Sequence, residues 1–190
     1  MSPPAQRTFQ LRIRLCEIEP EIWRRVLVPG SVRLDKLHLM IQAAMGWTNS
    51  HLHSFMIGSE RYGTAFDELA FEEIDDGTIT VIRALSGHSQ FLYEYDFGDG
   101  WAHVVDVEAV FEHQHGLSRG VCLDGARACP PEDCGGSGGY EDLLEALAHP
   151  STKDRREFVR WAGPFDPDVF DVAAANVRLQ AIRQRARTAV

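Results

Sequence analysis

QFLYEYDFGDGWAHVVDVEAVFE, residues 90–112, is the stretch on which the fold turns. Two runs rich in aromatic and β-branched residues, 90–97 and 101–112, flank Gly98-Asp99-Gly100, whose glycines admit the positive φ of a tight hairpin turn. The pattern predicts two antiparallel strands. Toward the N-terminus, Phe9, Leu11, Ile13 and Leu15 alternate with Gln10, Arg12, Arg14 and Cys16, the period of a strand with one buried face. EIEPE (17–21) interrupts the alternation and IWRRVLVP (22–29) resumes it, giving a second hairpin. After Pro29-Gly30, residues Leu34, Leu37, Ile41, Ala44 and Met45 fall at helical spacing, and Gly46 supplies a C-terminal stop. HLHSFMIG (51–58) reads as a further strand.

Other segments are less regular. Residues 61–77 read as an exposed acidic excursion, with six acids between 67 and 76, and ITVIRALSG (79–87) as a short helix or turn. From His113 to about Gly139 no period is present, and so long an irregular stretch inside a compact domain is usually functional or pinned. YEDLLEALAHP, TKDRREFVRWAG and DPDVFDVAAANVRLQAIRQRA then read as three helices. The expected fold is α+β: a largely antiparallel sheet of about five strands, one helix between strands two and three, and a C-terminal group of helices packed on it. The chain is read as one domain over 1–190, with its core at about 9–179 and a tail at 180–190.

A chain of 190 residues that is 44% hydrophobic and 25% charged is long enough to bury a core without covalent staples. It shows no secretory leader pattern and no run of 18 or more uncharged apolar residues, so it is expected to be soluble and cytoplasmic, away from membranes. In that setting its four cysteines are thiols or metal ligands before they are disulfides. The net charge of −9 argues against nucleic acid as a partner. Charge is uneven, with seven basic and four acidic side chains in 1–48, against two arginines and ten acids in 60–99. Trp23-Arg24-Arg25, Arg12, Arg14 and the C-terminal arginines (178, 183, 185 and 187) could form a modest basic platform, weighed against core and solvation roles.

Three groups of residues carry possible chemistry. Cys122, Cys129 and Cys134 lie in "CLDGARACPPEDCGGSGGY" (122–140) at x6 and x4 spacings. These are not the paired C-x2-C knuckle of zinc sites, although three thiolates and a histidine would close a tetrahedral Zn site; packing by small buried thiols is the other reading. His51 and His53, two apart on an expected strand, project from one face, and with Asp96, Asp99 and His103 would make a metallohydrolase-like His/Asp set if the strands pair suitably. GGSGGY (135–140) lacks the Gly-Lys-Ser/Thr ending of a P-loop and is flanked by Glu132, Asp133, Glu141 and Asp142, so its glycines are read as permitting turns and close backbone approach. DFG at 96–98 stands without the other kinase segments and is read as accidental.

Taken together, "IWRRVLVP", "LHLMIQAAMGW" running into "HLHSFMIG", "YEYDFGDGWAHVVDVE", "CLDGARACPPEDCGGSGGY" and "FDPDVFDVAAAN" resemble the plasmid pRiA4b ORF-3-like family, from about Phe9 to Leu179. The resemblance implies a single α+β domain found mostly in bacteria and archaea, of no established biochemical function. His51, His53, Asp96, Asp99, His103, Cys122, Cys129, Cys134, Glu132 and Asp133 match the family's blocks, which assign them no roles. Some members carry resolvase or repressor names, for which this sequence has neither a resolvase-like serine motif nor a helix-turn-helix. Where the family usually has Thr or Ser before the first helix this chain has Arg33, leaving Ser31 as a substitute cap. The leading functional expectation is a module that binds a protein or small-molecule partner in a cleft beside residues 113–140. The alternatives are a metal-dependent hydrolase or nuclease using His51, His53, His103 and Asp99 with a separate cysteine zinc loop, and weak nucleic-acid binding linked to mobile elements.

Overall fold

The computed structural model describes residues 7–64, 73–112, 117–149 and 151–182. The chain runs β1 (Arg7–Leu15), β2 (Trp23–Pro29), α1 (Leu34–Met45), β3 (His53–Ile57), β4 (Glu60–Gly63), β5 (Ile74–Asp75), α2 (Val81–Leu85), β6 (Gln90–Tyr95), β7 (Trp101–Glu112), β8 (Val121–Ala126), α3 (Gly136–Ala148), α4 (Lys153–Ala162) and α5 (Val172–Ala181). The α+β class holds, with a larger sheet than expected. Eight strands, not about five, form one sheet in the order β5-β4-β3-β6-β7-β1-β2-β8, antiparallel throughout except for β4 with β5. The expected hairpins β1–β2 and β6–β7 are present, and α1 lies between the second and third strands. Residues 65–72 of the acidic excursion, residues 113–116 and the tail beyond 182 lie outside the described residues.

Register explains how the core forms. Phe55, Tyr93, His103, Leu15 and Ile13 share the inner face through successive antiparallel pairings, with His53, Tyr95 and Trp101 beside them. The stripe of α1, including Leu34, Leu37, Ile41 and Ala44, is buried in the same core. Burial of this apolar surface is the main stabilising term, at roughly 25 cal/mol per Å². The opposite face holds Arg12, Arg25, Asp106 and Glu108 and is solvated by ion pairs such as Arg25–Glu108 at 2.5 Å.

The ends of α1 are satisfied by tertiary partners. Its N-cap is Arg33, whose side chain makes no cap bond, and Ser31 does not replace it. Instead the Leu34 and Asp35 N–H groups donate to the Ile79 and Asp76 carbonyls, which ties the helix start to the 76–79 turn. At the other end Arg24 Nε donates to Ala44 O and Arg178 Nε to Ala43 O. The helix has no basic residue of its own in its last turn, and these two guanidiniums complement its negative end.

Candidate functional site

One turn apart on the inner side of α1, His38 and Gln42 reach Tyr93 of β6. Asn49 Oδ1 accepts from His38 Nε2 (2.5 Å), so Nδ1 carries the lone pair that accepts from the Tyr93 hydroxyl (2.8 Å), while Gln42 Nε2 donates to that hydroxyl (3.0 Å). The network is complete only with His38 neutral. Burial, reinforced by the neighbouring His53, pulls its pKa down to about 3. The His53 ring stacks on His38 at 3.5 Å and 4°, and its Nε2 donates to Asp76 Oδ2 at 2.8 Å.

His38, His53 and Asp76 floor a cleft of about 680 Å³ between α1, the 49–53 segment and the 75–77 turn, with Lys36, Leu39 and Ser50 among its walls. None of the described residues of 113–140 lines the cleft, but Asp133 reaches its edge at His51, while the loop that carries it is clamped onto the end of α1. Trp47 Nε1 donates to Pro130 O, and Glu132 accepts from the Tyr95 hydroxyl (2.5 Å), the Thr48 N–H (3.0 Å) and the Thr48 hydroxyl. Burial alone would raise the Glu132 pKa, but the Thr48 and Tyr95 hydrogen bonds outweigh it and hold the carboxyl below its ordinary value.

Clamping the loop carries Asp133 to His51. His51 precedes β3, at a bend, so the two histidines share the cleft but not a set of partners. His51 Nε2 lies 2.9 Å from Asp133 Oδ1 and 3.5 Å from Asp96 Oδ2. Asp96 Oδ1 accepts from the Gly98 and Asp99 N–H groups, which leaves Oδ2 toward the histidine. Asp96 and Asp133 both have left-handed backbone, with φ of 55° and 60°, a conformation Asp tolerates better than most residues and one that clusters at functional sites.

The expected five-residue His/Asp set does not converge. Asp99 turns away to accept from Gly135 N–H. His103 is fully buried between Trp47 and Tyr93, donating Nδ1–H to the Tyr93 carbonyl at 3.3 Å, and burial lowers its pKa to about 4. The three cysteines do not form a metal-sized group either. Among the described residues, the only three or more His, Cys, Asp or Glu ligand atoms lying within 4.8 Å of one another belong to His51, Asp96 and Asp133. Cys122 Sγ points to Asp124 O and Cys134 Sγ to Gly136 O. Burial raises all three thiols, Cys134 to about 12, so each is neutral in the metal-free chain.

The glycines after Cys134 serve close approach. A Cβ on Gly139 would stand 1.8 Å from the Cys134 carbonyl oxygen, and α3 already begins at Gly136, earlier than the sequence suggests. Gly139→Ala is expected to lower stability by about 3 kcal/mol, the upper end of ordinary overpacking; a urea midpoint unchanged from the parent would contradict this packing. The described members of the expected basic platform are engaged, since Arg12 and Arg14 pair with Glu21, Arg25 with Glu108, Arg178 donates to Ala43 O and Arg24 is buried, while Arg183, Arg185 and Arg187 lie outside the described residues.

His38, Gln42, Asn49 and Asp76 were not among the candidates. The signal for the first two was present, since His38 and Gln42 sit at i and i+4 inside the apolar stripe of α1, where a satisfied polar pair needs a reason. For Asn49 and Asp76 local sequence carried none.

A large, mostly antiparallel sheet with a helix laid over one face and a polar-floored cleft at that helix's start defines the class: an α+β domain with a candidate ligand site. The chain belongs to the plasmid pRiA4b ORF-3-like protein family, whose pattern matches residues 7–174. It is 40% identical over 169 residues to the uncharacterized protein y4hQ of Sinorhizobium fredii (strain NBRC 101917 / NGR234), covering 88% of this chain and 85% of that protein. It is also similar to the crystal structure of the protein of unknown function MM3350 from Methanosarcina mazei Go1, with a TM-score of 0.80 and 32% identity over 88% of this chain and 97% of that one. No helix among the described residues is long and apolar enough to cross a membrane.

Proposed function

We propose that the domain is a binding module for a small polar molecule that enters the cleft between α1 and the 75–77 turn. The observation that carries this reading is the cleft floor: His38, His53 and Asp76, exposed by only 4%, 7% and 5%, are held by specific partners beneath an open surface. An apolar floor would avoid the desolvation cost of these groups. Their retention at the base of a concavity fits recognition, in which a few fixed polar groups orient a ligand. Lys36 and Ser50 offer donors on the walls and Asp75 an acceptor, so the ligand is expected to bear both hydrogen-bonding types.

Leu39, half-buried on the cleft wall, is the place to test this. In a thermal-shift screen of small polar metabolites, at least one compound is expected to raise the unfolding temperature of the native chain by binding the folded state. Leu39→Trp, which narrows the cleft, should lose that shift while keeping its own cooperative transition. A screen with no stabilising compound, or an equal shift in Leu39→Trp, would contradict the reading.

A further inference from the structure

We propose that His51, Asp96 and Asp133 form a binding site for one divalent first-row transition-metal ion at the edge of the cleft. The three donors come from three distant parts of the chain: the segment after α1, the end of β6, and the loop ahead of α3. Their ligand atoms all fall within 4.8 Å of one another.

The geometry at His51 differs from an ordinary histidine–carboxylate hydrogen bond. Nε2 is inaccessible to solvent and has carboxylate oxygens at 2.9 Å and 3.5 Å, yet makes no hydrogen bond to either. The oxygens therefore stand beside the direction of the ring nitrogen and not along it. Atoms bound to one ion at about 2.0–2.2 Å lie roughly 3.0 Å apart at right angles and roughly 3.4 Å apart at tetrahedral angles, so the observed separations suit three ligands arranged around a common centre. His53 with Asp76 provides the internal contrast, because there the nitrogen–oxygen separation of 2.8 Å is a properly directed hydrogen bond.

Each carboxylate is also held in place. Asp96 is buried and uses Oδ1 on the Gly98 and Asp99 amides, which commits Oδ2 to the site. Asp133 is exposed, but the adjacent Glu132 anchors its loop through Thr48 and Tyr95. One imidazole nitrogen and two carboxylate oxygens form a donor set between the softer and harder cations, suited to ions such as Zn²⁺, Mn²⁺ and Fe²⁺. Three protein ligands leave coordination positions for water or a further ligand. Because His51 also lines the cleft, a ligand there would be near the ion, but ion binding does not depend on that ligand.

The test is titration of the metal-stripped full chain, without added ligand, using Zn²⁺ followed by calorimetry and Co²⁺ followed by absorption. One ion per chain is expected, and the Co²⁺ spectrum should show d–d bands without the intense near-ultraviolet absorption of a thiolate complex. Asp133→Asn, a surface change that should not disturb folding, and His51→Ala should each weaken binding beyond the 10–100-fold typical of losing an outer-shell partner. Cys122→Ala and Leu39→Trp should leave affinity unchanged, so failure of the cleft reading and failure of the metal site are told apart. Absence of saturable binding, a thiolate band, or an unaltered affinity in Asp133→Asn would overturn the proposal.

Discussion

Lowering the pH from 7 to 5 is expected to cost the folded chain about 4 kcal/mol, through two histidines that it keeps neutral. His38 and His103 have their pKa values lowered by burial to about 3 and about 4, against an ordinary value of 6.5. Well above pH 6.5 neither histidine is protonated in either state, so their contribution to stability is fully present. Below 6.5 the unfolded chain takes up two protons that the folded chain refuses, and the difference grows until the folded values are reached. Each histidine then costs about 2 kcal/mol by pH 5 and about 3 kcal/mol by pH 4. Against a typical total of about 5–15 kcal/mol, the second figure brings the domain close to unfolding. The measurement is urea unfolding at pH steps between 7.5 and 5, a range that leaves most carboxylates ionised. His103→Leu, which replaces a side chain whose Nε2 has no partner, should roughly halve the slope. Stability that stays flat over this range would mean that one or both rings are charged in the folded chain, and the hydrogen-bond assignment around Tyr93 would fall.

Arg24→Ala is expected to destabilise the domain by about 4 kcal/mol, combining a core cavity with buried carbonyls left unpaired. Arg24 is 1% exposed and has no carboxylate partner among its hydrogen bonds. Its Nε donates to Ala44 O, NH1 donates to the Trp23 and Ala126 carbonyls at 2.8 Å each, and its guanidinium lies 3.8 Å from the centre of the Phe170 ring. The cation thus joins α1, β2, the end of β8 and the segment before α5, and burial lowers its pKa from the ordinary arginine value. Arg24→Met separates the contributions by keeping most of the volume while abolishing the donors. It should remain destabilised by about 1–3 kcal/mol if the carbonyls matter. Chemical denaturation of the three chains checks this, and a loss below about 1 kcal/mol in Arg24→Ala would show that the residue is not the junction described.

The contrast between what could and could not be read in the sequence has a physical basis. β1, β2, β6 and β7 carry a regular alternation, because each presents one face to the core and one to water over six residues or more. β4 and β5, with four and two residues, are too short to display a period, and β8 pairs with β2 across a register shift that breaks its alternation. His51 and Asp96 were legible as candidates because histidines beside a strand and an aspartate at a turn are conspicuous. Asp133 stood out only as part of a family block, since its approach to His51 depends on a loop clamped by Trp47 and Thr48, more than 80 residues away in sequence, and by Tyr95, 37 residues away. His103 looked equivalent to His51 on paper. Strand register places it opposite Tyr93 and Leu15, where it is enclosed by aromatic rings.

The central claim, that the polar-floored cleft is where this domain meets its ligand, is tested most directly by soaking crystals of the native chain with a library of small polar fragments. Fragments are predicted to gather between Lys36, Asn49, His53 and Asp76, hydrogen-bonded to the cleft walls. A cleft that takes up no fragment, while fragments collect on the outer sheet face around Met56 and Leu92, would contradict the account.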